Sequence, residues 1–227
     1  MNILNFIFPK KCAVCGEFTG GELFCRVCTV KYEQLKRVPC KYCGLAHSLC
    51  RCRAEKLRGE KRVAMRHLFA YEGETAKSLI YKLKRKNLCS LQRFLALELA
   101  RLIKEELRVG EECMVTFAPR AKKSILEYGF DQAEILAREA AKILSLPMEA
   151  IFERERNANT QQKMLGAKER EQNAQSAFFV NEGAELCGKT LVIIDDVTTT
   201  GSTAGRLCSL ALEEGAKRII FVSVAKT

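Results

Sequence analysis

The sequence of 227 residues contains no tryptophan, and only 7% of its residues are aromatic. It also lacks a run of eighteen apolar residues, so we expect no membrane-spanning helix and no membrane insertion. The opening MNILNFIFPKKC places a short apolar stretch before its lysines, which is the wrong order for a secretory signal and too short for one. We therefore expect a cytoplasmic protein. A hydrophobic share of 48% suffices for one ordinary core and a small appendage.

Negative charge is the minority: 27 acidic residues stand against 38 basic ones, for a formal net charge of +11. If eight cysteines bound two zinc ions as thiolates, the charge would change by +4 − 8 = −4 and remain at +7. A basic chain favours phosphates, nucleotides or nucleic acid as partners, without choosing among them.

Cysteine is abundant instead, with twelve residues, of which eight lie between positions 12 and 52. Disulfides are rare in a reducing compartment, whereas closely spaced cysteine pairs are typical of a closed, structural zinc site. The spacing predicts two such sites, although neighbouring ribbons can exchange ligands. The first set is Cys12, Cys15, Cys25 and Cys28, and the second is Cys40, Cys43, Cys50 and Cys52. Gly16 and Gly44 follow a pair in each set, where a tight turn is needed.

Other candidate ligands have simpler interpretations. His47 is an alternative ligand for the second set, but we expect it in a solvated loop. Four further cysteines stand singly in apolar surroundings, and we expect them to be buried: Cys89, Cys113, Cys187 and Cys208.

A charged linker over 53–62 separates two regions of different composition. We expect a double zinc-ribbon module over residues 1–58, folded by its metal, and a second domain over 59–227. In the second domain, strands alternate with helices, which indicates an α/β fold with a mainly parallel sheet. The expected strands are 63–71, 113–118, 151–152, 178–180, 191–194 and 219–224, and the expected helices begin near 75, 88, 131 and 204. Residues 154–176 are almost wholly polar, and we expect a mobile or helical segment over a cleft.

The helix that begins near Thr75 has a basic face. A solvated surface explains that face, and so does a surface that follows the phosphates of a nucleic acid. The basic residues are Lys77, Lys82, Lys84, Arg85 and Lys86. With so few aromatic residues, base stacking would depend on Tyr42, Tyr71 and Tyr81.

The stretch LVIIDDVTTTGST, residues 191–203, is the most informative part of the chain. We expect its buried strand to stop at Ile194 and its polar turn to open a helix. Backbone amides at a helix start and threonine hydroxyls suit a phosphate, but no Gly-Lys-Ser/Thr follows, which excludes a lysine-containing nucleotide loop. Asp195 and Asp196 would repel a phosphate unless they bound another group, such as the vicinal hydroxyls of a ribose.

This stretch resembles the phosphoribosyl-pyrophosphate motif of type I phosphoribosyltransferases. The resemblance implies that Asp195 and Asp196 form a catalytic pair that contacts the ribose hydroxyls, with Mg²⁺ accompanying the ligand. The motif that would bind the phosphoribosyl group comprises Asp195, Asp196, Val197, Thr198, Thr199, Thr200, Gly201, Ser202 and Thr203, with Thr199 to Thr203 around the 5-phosphate. Ala118, Pro119 and Arg120 would lie near the pyrophosphate.

The whole chain resembles the ComF family of competence-associated proteins, which join a double zinc ribbon to a phosphoribosyltransferase domain. The match rests on Tyr71-Glu-Gly73, Phe117-Ala-Pro-Arg120 and the spacing of Thr160-Gln-Gln162, Leu165, Arg170, Asn173 and Ala177-Phe178. It implies the handling of incoming single-stranded DNA on the cytoplasmic side during natural transformation, with DNA-uptake or recombination proteins as partners.

One departure from the family pattern bears on catalysis. The family typically has Arg-Gly-Phe-Asn-Gln, whereas this chain has Tyr128-Gly-Phe-Asp-Gln132, preceded by Glu127. A departing pyrophosphate needs positive charge, so the loss of an arginine and the gain of Asp131 weaken the expectation of catalysis more than that of binding. Three functions stay open: a DNA-handling protein, an active transferase acting on an unidentified nitrogen acceptor, and a non-catalytic sensor.

Overall fold

A computed structural model describes residues 10–154 and 178–227 of the chain. Its helices are α1 (Arg26–Arg37), α2 (Gly73–Arg85), α3 (Cys89–Glu106), α4 (Lys122–Tyr128), α5 (Gln132–Leu144) and α6 (Ser202–Glu213). Its strands are β1 (Val63–Ala70), β2 (Cys113–Phe117), β3 (Phe152–Arg154), β4 (Phe178–Val180), β5 (Thr190–Thr198) and β6 (Arg218–Lys226). The stretches 1–9 and 155–177 lie outside the described residues, and with them most of the polar stretch 154–176 and its family-like spacing.

The centre of the fold is a parallel sheet with strand order β1-β6-β5-β2. Helices α2, α3 and α5 cover one face, where they pack on side chains such as Val192, Ile194 and Val222. Helix α6 covers the other face and packs on Leu191, Ile193 and Phe221. Strands that are buried on both faces need apolar residues at successive positions, which explains the continuous aliphatic runs of the sequence. The predicted α/β fold with a mainly parallel sheet is confirmed.

Two expectations about strands need correction. β5 does not stop at Ile194 but continues to Thr198, because its ladder with β6 goes on: Asp195 pairs with Ser223, and Thr198 pairs with Lys226. The turn before α6 is therefore shorter than predicted. In addition, β3 and β4 form an antiparallel pair of their own rather than joining the central sheet.

The cysteine-rich region shares a core with the sheet. Tyr32 of α1 is buried, and its ring lies 5.8 Å from that of Phe69 on β1 and 5.3 Å from that of Phe94 on α3. From α2, Ser78 Oγ and Lys82 Nζ each donate a hydrogen bond of 2.8 Å to the carbonyl oxygen of Val14. The cysteine-rich region is thus docked by apolar packing and by hydrogen bonds.

Burial corrects the expectations about the lone cysteines and His47. Cys113 and Cys208 are buried as expected, whereas Cys89 and Cys187 are exposed. His47 is only 6% exposed, and its Nδ1 lies 2.8 Å from the carbonyl oxygen of Val38. The expected solvated position of His47 is therefore wrong, because a short 3-10 turn folds this residue into the protein.

No helix of the described residues is long and apolar enough to cross a membrane.

Candidate functional site

The acidic pair lies near the carboxyl end of β5 and faces groups from two helices. Asp196 is buried, and its Oδ2 accepts a short hydrogen bond from Gln132 Nε2 at the start of α5. The same oxygen lies 3.3 Å from Lys84 Nζ near the end of α2. Asp195 Oδ1 accepts the backbone N–H of Asp196 at 2.7 Å. The two carboxyl groups thus have different partners although they are neighbours in sequence.

The surroundings of Asp195 change its protonation. Burial is the main cause that raises the pKa of Asp195, and the nearby charge of Asp196 raises it further, to about 8. The amide of Asp196 and the Lys84 ammonium act in the opposite direction. At neutral pH, Asp195 therefore carries a proton most of the time and can donate a hydrogen bond as well as accept one. A carboxyl group that can both donate and accept, beside a second carboxyl group, suits a ligand with several hydroxyl groups.

The loop that follows β5 combines a helix start with hydroxyl groups. Gly201 precedes α6 and has φ +78°, a left-handed conformation that favours glycine. Thr200 Oγ1 and Ser202 Oγ lie 2.9 Å apart at the exposed turn. By contrast, Thr198 is buried, and its hydroxyl donates to Ser223 Oγ at 3.0 Å inside the sheet. The donors that face solvent are thus those of the turn, and Thr198 anchors its base.

The loop before α6 contacts Ala54, in the segment that follows the second cysteine set. A Cβ at position 201 would lie 2.2 Å from the Cβ of Ala54, so this contact is possible only for glycine. One turn later in α6, a Cβ at Gly205 would lie 3.2 Å from the Cβ of Lys56. The cysteine-rich region therefore forms one wall of the loop.

Asp131, which departs from the family pattern, has a structural role in this chain. Its Oδ2 accepts the backbone N–H of Arg120 at 2.7 Å, and its Oδ1 accepts those of Ala133 and Glu134 at 2.9 and 3.3 Å. Burial raises its pKa, while these three amides lower it. The carboxyl group caps α5 and fixes the loop after β2.

Tyr128, the other departure, lies between two guanidinium groups. The ring centroid is 4.7 Å from Arg120 Cζ and 5.1 Å from Arg85 Cζ. Arg120 Nη1 also donates to the carbonyl oxygen of Lys84 at 3.0 Å. The Tyr128 side chain is not a cation, but it holds the guanidinium groups of Arg85 and Arg120 close together. Sequence reasoning missed this arrangement because no local pattern shows that the end of α2 meets the loop after β2.

The five basic residues predicted to bind nucleic acid have different partners in the structure. Lys77 pairs with Glu74 at 2.9 Å, and Lys82 is held by the carbonyl oxygen of Val14. Lys84 faces Asp196, and Arg85 packs on Tyr81 and Tyr128. Lys86 is exposed just beyond α2. The structure places Lys84 beside Asp196, Arg85 beside Tyr128 and Lys82 at the junction with the cysteine-rich region.

The eight clustered cysteines form two groups of four in the order of the sequence. The Sγ atoms of Cys12, Cys15, Cys25 and Cys28, the first cysteine group, lie within 4.8 Å of one another. The same holds for the second cysteine group, which consists of Cys40, Cys43, Cys50 and Cys52. This grouping resolves the question of exchanged ligands.

The spacing of the sulfurs fits a tetrahedral metal site. Cys15 Sγ lies 3.8 Å from Cys25 Sγ, and Cys43 Sγ lies 3.7 Å from Cys50 Sγ. A tetrahedral ion with metal–sulfur bonds of about 2.3 Å places its ligands about 3.8 Å apart. Gly16 and Gly44 turn each knuckle with φ of +84° and +72°. Both groups can therefore hold a metal ion.

Comparison with known proteins first defines the class. Residues 129–227 match the family described as phosphoribosyl transferase domain. Together with the parallel sheet and its flanking helices, this match identifies a type I phosphoribosyltransferase fold. Among solved structures, the allosteric regulatory enzyme of purine biosynthesis is 21% identical, with a TM-score of 0.41, over 58% of this chain and 25% of that chain. A purine phosphoribosyltransferase from Pyrococcus horikoshii is 19% identical, with a TM-score of 0.37, over 60% of this chain and 83% of that one.

Curated relatives then show what the rest of the chain is similar to. Competence protein F of Haemophilus influenzae is 27% identical over 85% of this chain and 87% of its own length. Competence protein ComFC of Streptococcus pneumoniae is 24% identical over 95% of this chain and 100% of its own length. DNA utilization protein YhgH of Escherichia coli is 31% identical over 40% of this chain and 39% of its own length. With its match to the phosphoribosyltransferase domain and its two cysteine groups, the chain is thus similar to these competence proteins along most of its length.

Proposed function

We propose that this protein binds phosphoribosyl pyrophosphate, or a related ribose phosphate, at the carboxyl edge of its sheet. The observation that carries the proposal is the convergence of three groups: the acidic pair, the loop at the start of α6, and the cations Lys84 and Arg120. Each group suits a different part of one ligand, namely the ribose hydroxyls, the 5-phosphate and the pyrophosphate.

In this proposal, each element of the site has a separate role. Asp195 donates to one ribose hydroxyl and Asp196 accepts from the other, while Thr199 to Thr203 surround the 5-phosphate with amides and hydroxyl groups. Arg120 and Lys84 attract the pyrophosphate. Mg²⁺, when bound with the ligand, would neutralise part of the pyrophosphate charge.

We further propose that zinc occupies both cysteine groups as a structural ion. A region of about fifty residues buries too little apolar surface to fold alone, so its metal provides much of its stability. Four thiolates leave no position open for a substrate, and the role of both ions is to hold the knuckles. We place the module at residues 1–58 and the transferase-like domain at 59–227.

The biological role that we propose is the handling of single-stranded DNA during natural transformation, on the cytoplasmic side of the membrane. Support comes from the names of the relatives, two competence proteins and a DNA utilization protein, and from the net charge of +11. Affinity for DNA that depends on such charge falls steeply with salt. Proteins of DNA uptake or recombination would be the partners.

Calorimetric titration of the zinc-loaded protein with phosphoribosyl pyrophosphate and Mg²⁺ tests the ligand. Binding should disappear in the double variant Asp195→Asn, Asp196→Asn and persist in Lys77→Gln, whose lysine pairs with Glu74 away from the site. Anisotropy of a labelled oligonucleotide, measured against salt, tests the DNA role separately. A wild-type protein that bound neither compound would contradict the proposal.

An active transferase is the second candidate function, and the roles of Asp131 and Tyr128 favour it. Asp131 is occupied by backbone amides, and Tyr128 keeps Arg85 and Arg120 together, so the departures from the family pattern leave the site with positive charge. Release of pyrophosphate in the calorimetric sample would establish that the protein cleaves the ligand, with water taking the place of the nitrogen acceptor that this sample lacks. Binding without release would favour a sensor or a purely DNA-handling protein.

A further inference from the structure

A second polar cleft lies between the segment that follows the second cysteine group and the carboxyl ends of β5 and β6. Its volume is about 830 Å³. Its walls include Tyr42, Arg53, Arg58, Lys226 and the loop Thr198–Gly201. Neither Asp195 nor Asp196 lines this cleft. The cleft therefore meets the threonine loop at a place that the acidic pair does not occupy.

Lys226 gives this cleft an unbalanced positive charge. The residue is only 6% exposed, and its Nζ lies 3.4 Å from the carbonyl oxygen of Cys52. In the described part of the chain, no carboxylate lies within 4.0 Å of this ammonium group. A buried cation without a counter-charge is costly, because the group has lost its hydration and gained no opposite charge in return. An anion in the cleft would supply that charge.

Two arginines extend the positive surface. Arg53 is fixed by its Nε–H, which donates to the carbonyl oxygen of Val63 at 2.6 Å. Arg58 is exposed at the rim. Glu55, also exposed, is the acidic side chain of the lining, and Arg51 at the cleft is paired with Glu106 at 3.2 Å. The net charge of the lining side chains is thus positive, which suits a phosphate.

Tyr42 supplies an aromatic face beside this charge. It stands between Cys40 and Cys43 on the second knuckle and is 76% exposed. Lys226 Nζ lies 5.6 Å from its ring centroid. A large, exposed ring that is held by a cysteine knuckle next to a cation is a suitable platform for stacking a nucleobase.

We propose that this cleft binds a nucleotide, with the phosphate on Lys226 and Arg58 and the base on Tyr42. We further propose that this nucleotide is part of a single strand, and this second step rests on the proposed handling of DNA. A free mononucleotide offers the same chemistry and is the other source. The threonine loop is shared with the proposed ribose-phosphate pocket, so the two ligands would be neighbours on either side of one turn.

Anisotropy of a labelled oligothymidylate at fixed salt tests the cleft, with thymidine monophosphate as the second ligand. Tyr42→Leu should weaken oligonucleotide binding by about tenfold, the effect of losing one stacked base, whereas Tyr42→Phe should retain it. Arg58→Gln should weaken binding and lower the salt dependence by about one phosphate contact. Lys142→Gln is the matched control for charge and should leave the cleft intact, because Lys142 pairs with Glu139 and does not line the cleft.

Lys226→Met separates a ligand contact from a structural role. The methionine keeps an aliphatic chain but removes the buried charge, so the variant should unfold at the same or a higher temperature than the wild type without ligand. It should nevertheless bind the oligonucleotide more weakly. A lysine with a merely structural role would lose stability instead.

The outcomes distinguish the cleft from the proposed function. Oligonucleotide binding that is equal in wild type, Tyr42→Leu and Arg58→Gln would overturn the cleft but leave DNA handling in place. If the wild type bound thymidine monophosphate through Tyr42 and did not bind the oligonucleotide, the cleft would stand with a free nucleotide, and DNA handling would fail. If neither compound bound, both would fail, whatever the titration with phosphoribosyl pyrophosphate showed.

Discussion

At the scale of single residues, Tyr128 and Asp131 show how a substitution changes meaning once its neighbours are known. In the sequence, they replace an arginine and a neutral amide and so reduce the positive charge of the site. In the structure, Asp131 accepts three backbone amides, and Tyr128 lies between Arg85 and Arg120. The site therefore takes its positive charge from α2 and from the loop after β2 rather than from position 128.

Tyr128→Ala should weaken binding of phosphoribosyl pyrophosphate, because both guanidinium groups lose the ring that holds them. A cation–π contact at an exposed site contributes about 0.5–1 kcal/mol, so two of them correspond to a weakening of about 5- to 30-fold. Tyr128→Phe keeps the aromatic face and should bind nearly as the wild type. Calorimetric titration measures both variants, and equal affinities for Ala and Phe would show that the ring does not position the arginines.

The raised pKa of Asp195 makes stability depend on pH. Between its ordinary value of 3.8 and the folded value of about 8, the folded chain holds a proton that the unfolded chain has released. The contribution of Asp195 to stability is therefore greatest at low pH and falls as pH rises through this window. Asp195→Asn should remove this loss of stability with rising pH, because asparagine does not ionise. The variant should therefore be more stable than the wild type at pH 8 and similar to it near pH 4.

Urea unfolding across this pH range measures the effect. Glu149→Gln, which changes an exposed carboxyl group, is the control and should leave the pH dependence unchanged. A constant difference in unfolding free energy between wild type and Asp195→Asn would mean that Asp195 is ionised throughout.

At the scale of secondary-structure elements, apolar runs predicted where strands occur, but they did not predict where the long strands end. Leu191–Ile194 indicates a buried strand because every side chain in it is aliphatic. The continuation of β5 to Thr198 could not be predicted, since it depends on β6 running alongside as far as Lys226. Helix α1 was missed because the cysteine spacing dominated the interpretation of that region. The Asp195 to Thr203 motif was identified, whereas the contribution of α2 to the site depends on long-range packing.

The turn between β5 and α6 depends on glycine for two separable reasons. In Gly201→Ala, the alanine would have to adopt a left-handed backbone conformation, which is strained. Its Cβ would also collide with Ala54. Gly188→Ala has the first cost alone, because Gly188 has φ +76° and nothing lies within 4 Å of the position that a Cβ would take. We expect Gly188→Ala to lose about 1 kcal/mol of unfolding free energy and Gly201→Ala to lose clearly more.

Ligand titration adds a second readout to this pair. Gly201→Ala should also weaken phosphoribosyl pyrophosphate binding, because relief of the collision displaces the loop. Equal destabilisation of the two variants, with ligand binding intact, would show that the contact with Ala54 does not hold the loop.

At the scale of the whole molecule, the cysteine-rich region and the sheet form one packed body. The first cysteine group lies next to Phe24 and Tyr32, which share a core with α3 and β1. The second cysteine group leads into Ala54, which touches the threonine loop. Loss of metal from either group should therefore also affect the transferase-like domain. Loss from the first group should affect the shared core, and loss from the second group should affect the threonine loop.

Cys15→Ser and Cys43→Ser form a matched pair, since each replaces one exposed thiol of one group. Each variant should bind one zinc ion per chain instead of two. Cys15→Ser should chiefly lower the unfolding temperature, because it loosens the shared core, and Cys43→Ser should chiefly weaken ligand binding at the loop. Metal analysis, thermal unfolding and ligand titration check these outcomes. An unfolding temperature of Cys15→Ser equal to that of the wild type would contradict the shared core.

The strand order β1-β6-β5-β2 has a consequence for how the chain is made. Strand β6, at residues 218–226, lies between β1 and β5 and pairs with both. During translation, the cysteine knuckles and β1 leave the ribosome early, but β1 has no neighbouring strand in the central sheet until Lys226 has been synthesised. Until then, α1, α3 and the turn His47–Leu49 are the earlier elements that pack on β1. Part of its apolar surface therefore stays exposed, and we expect the nascent chain to bind chaperones.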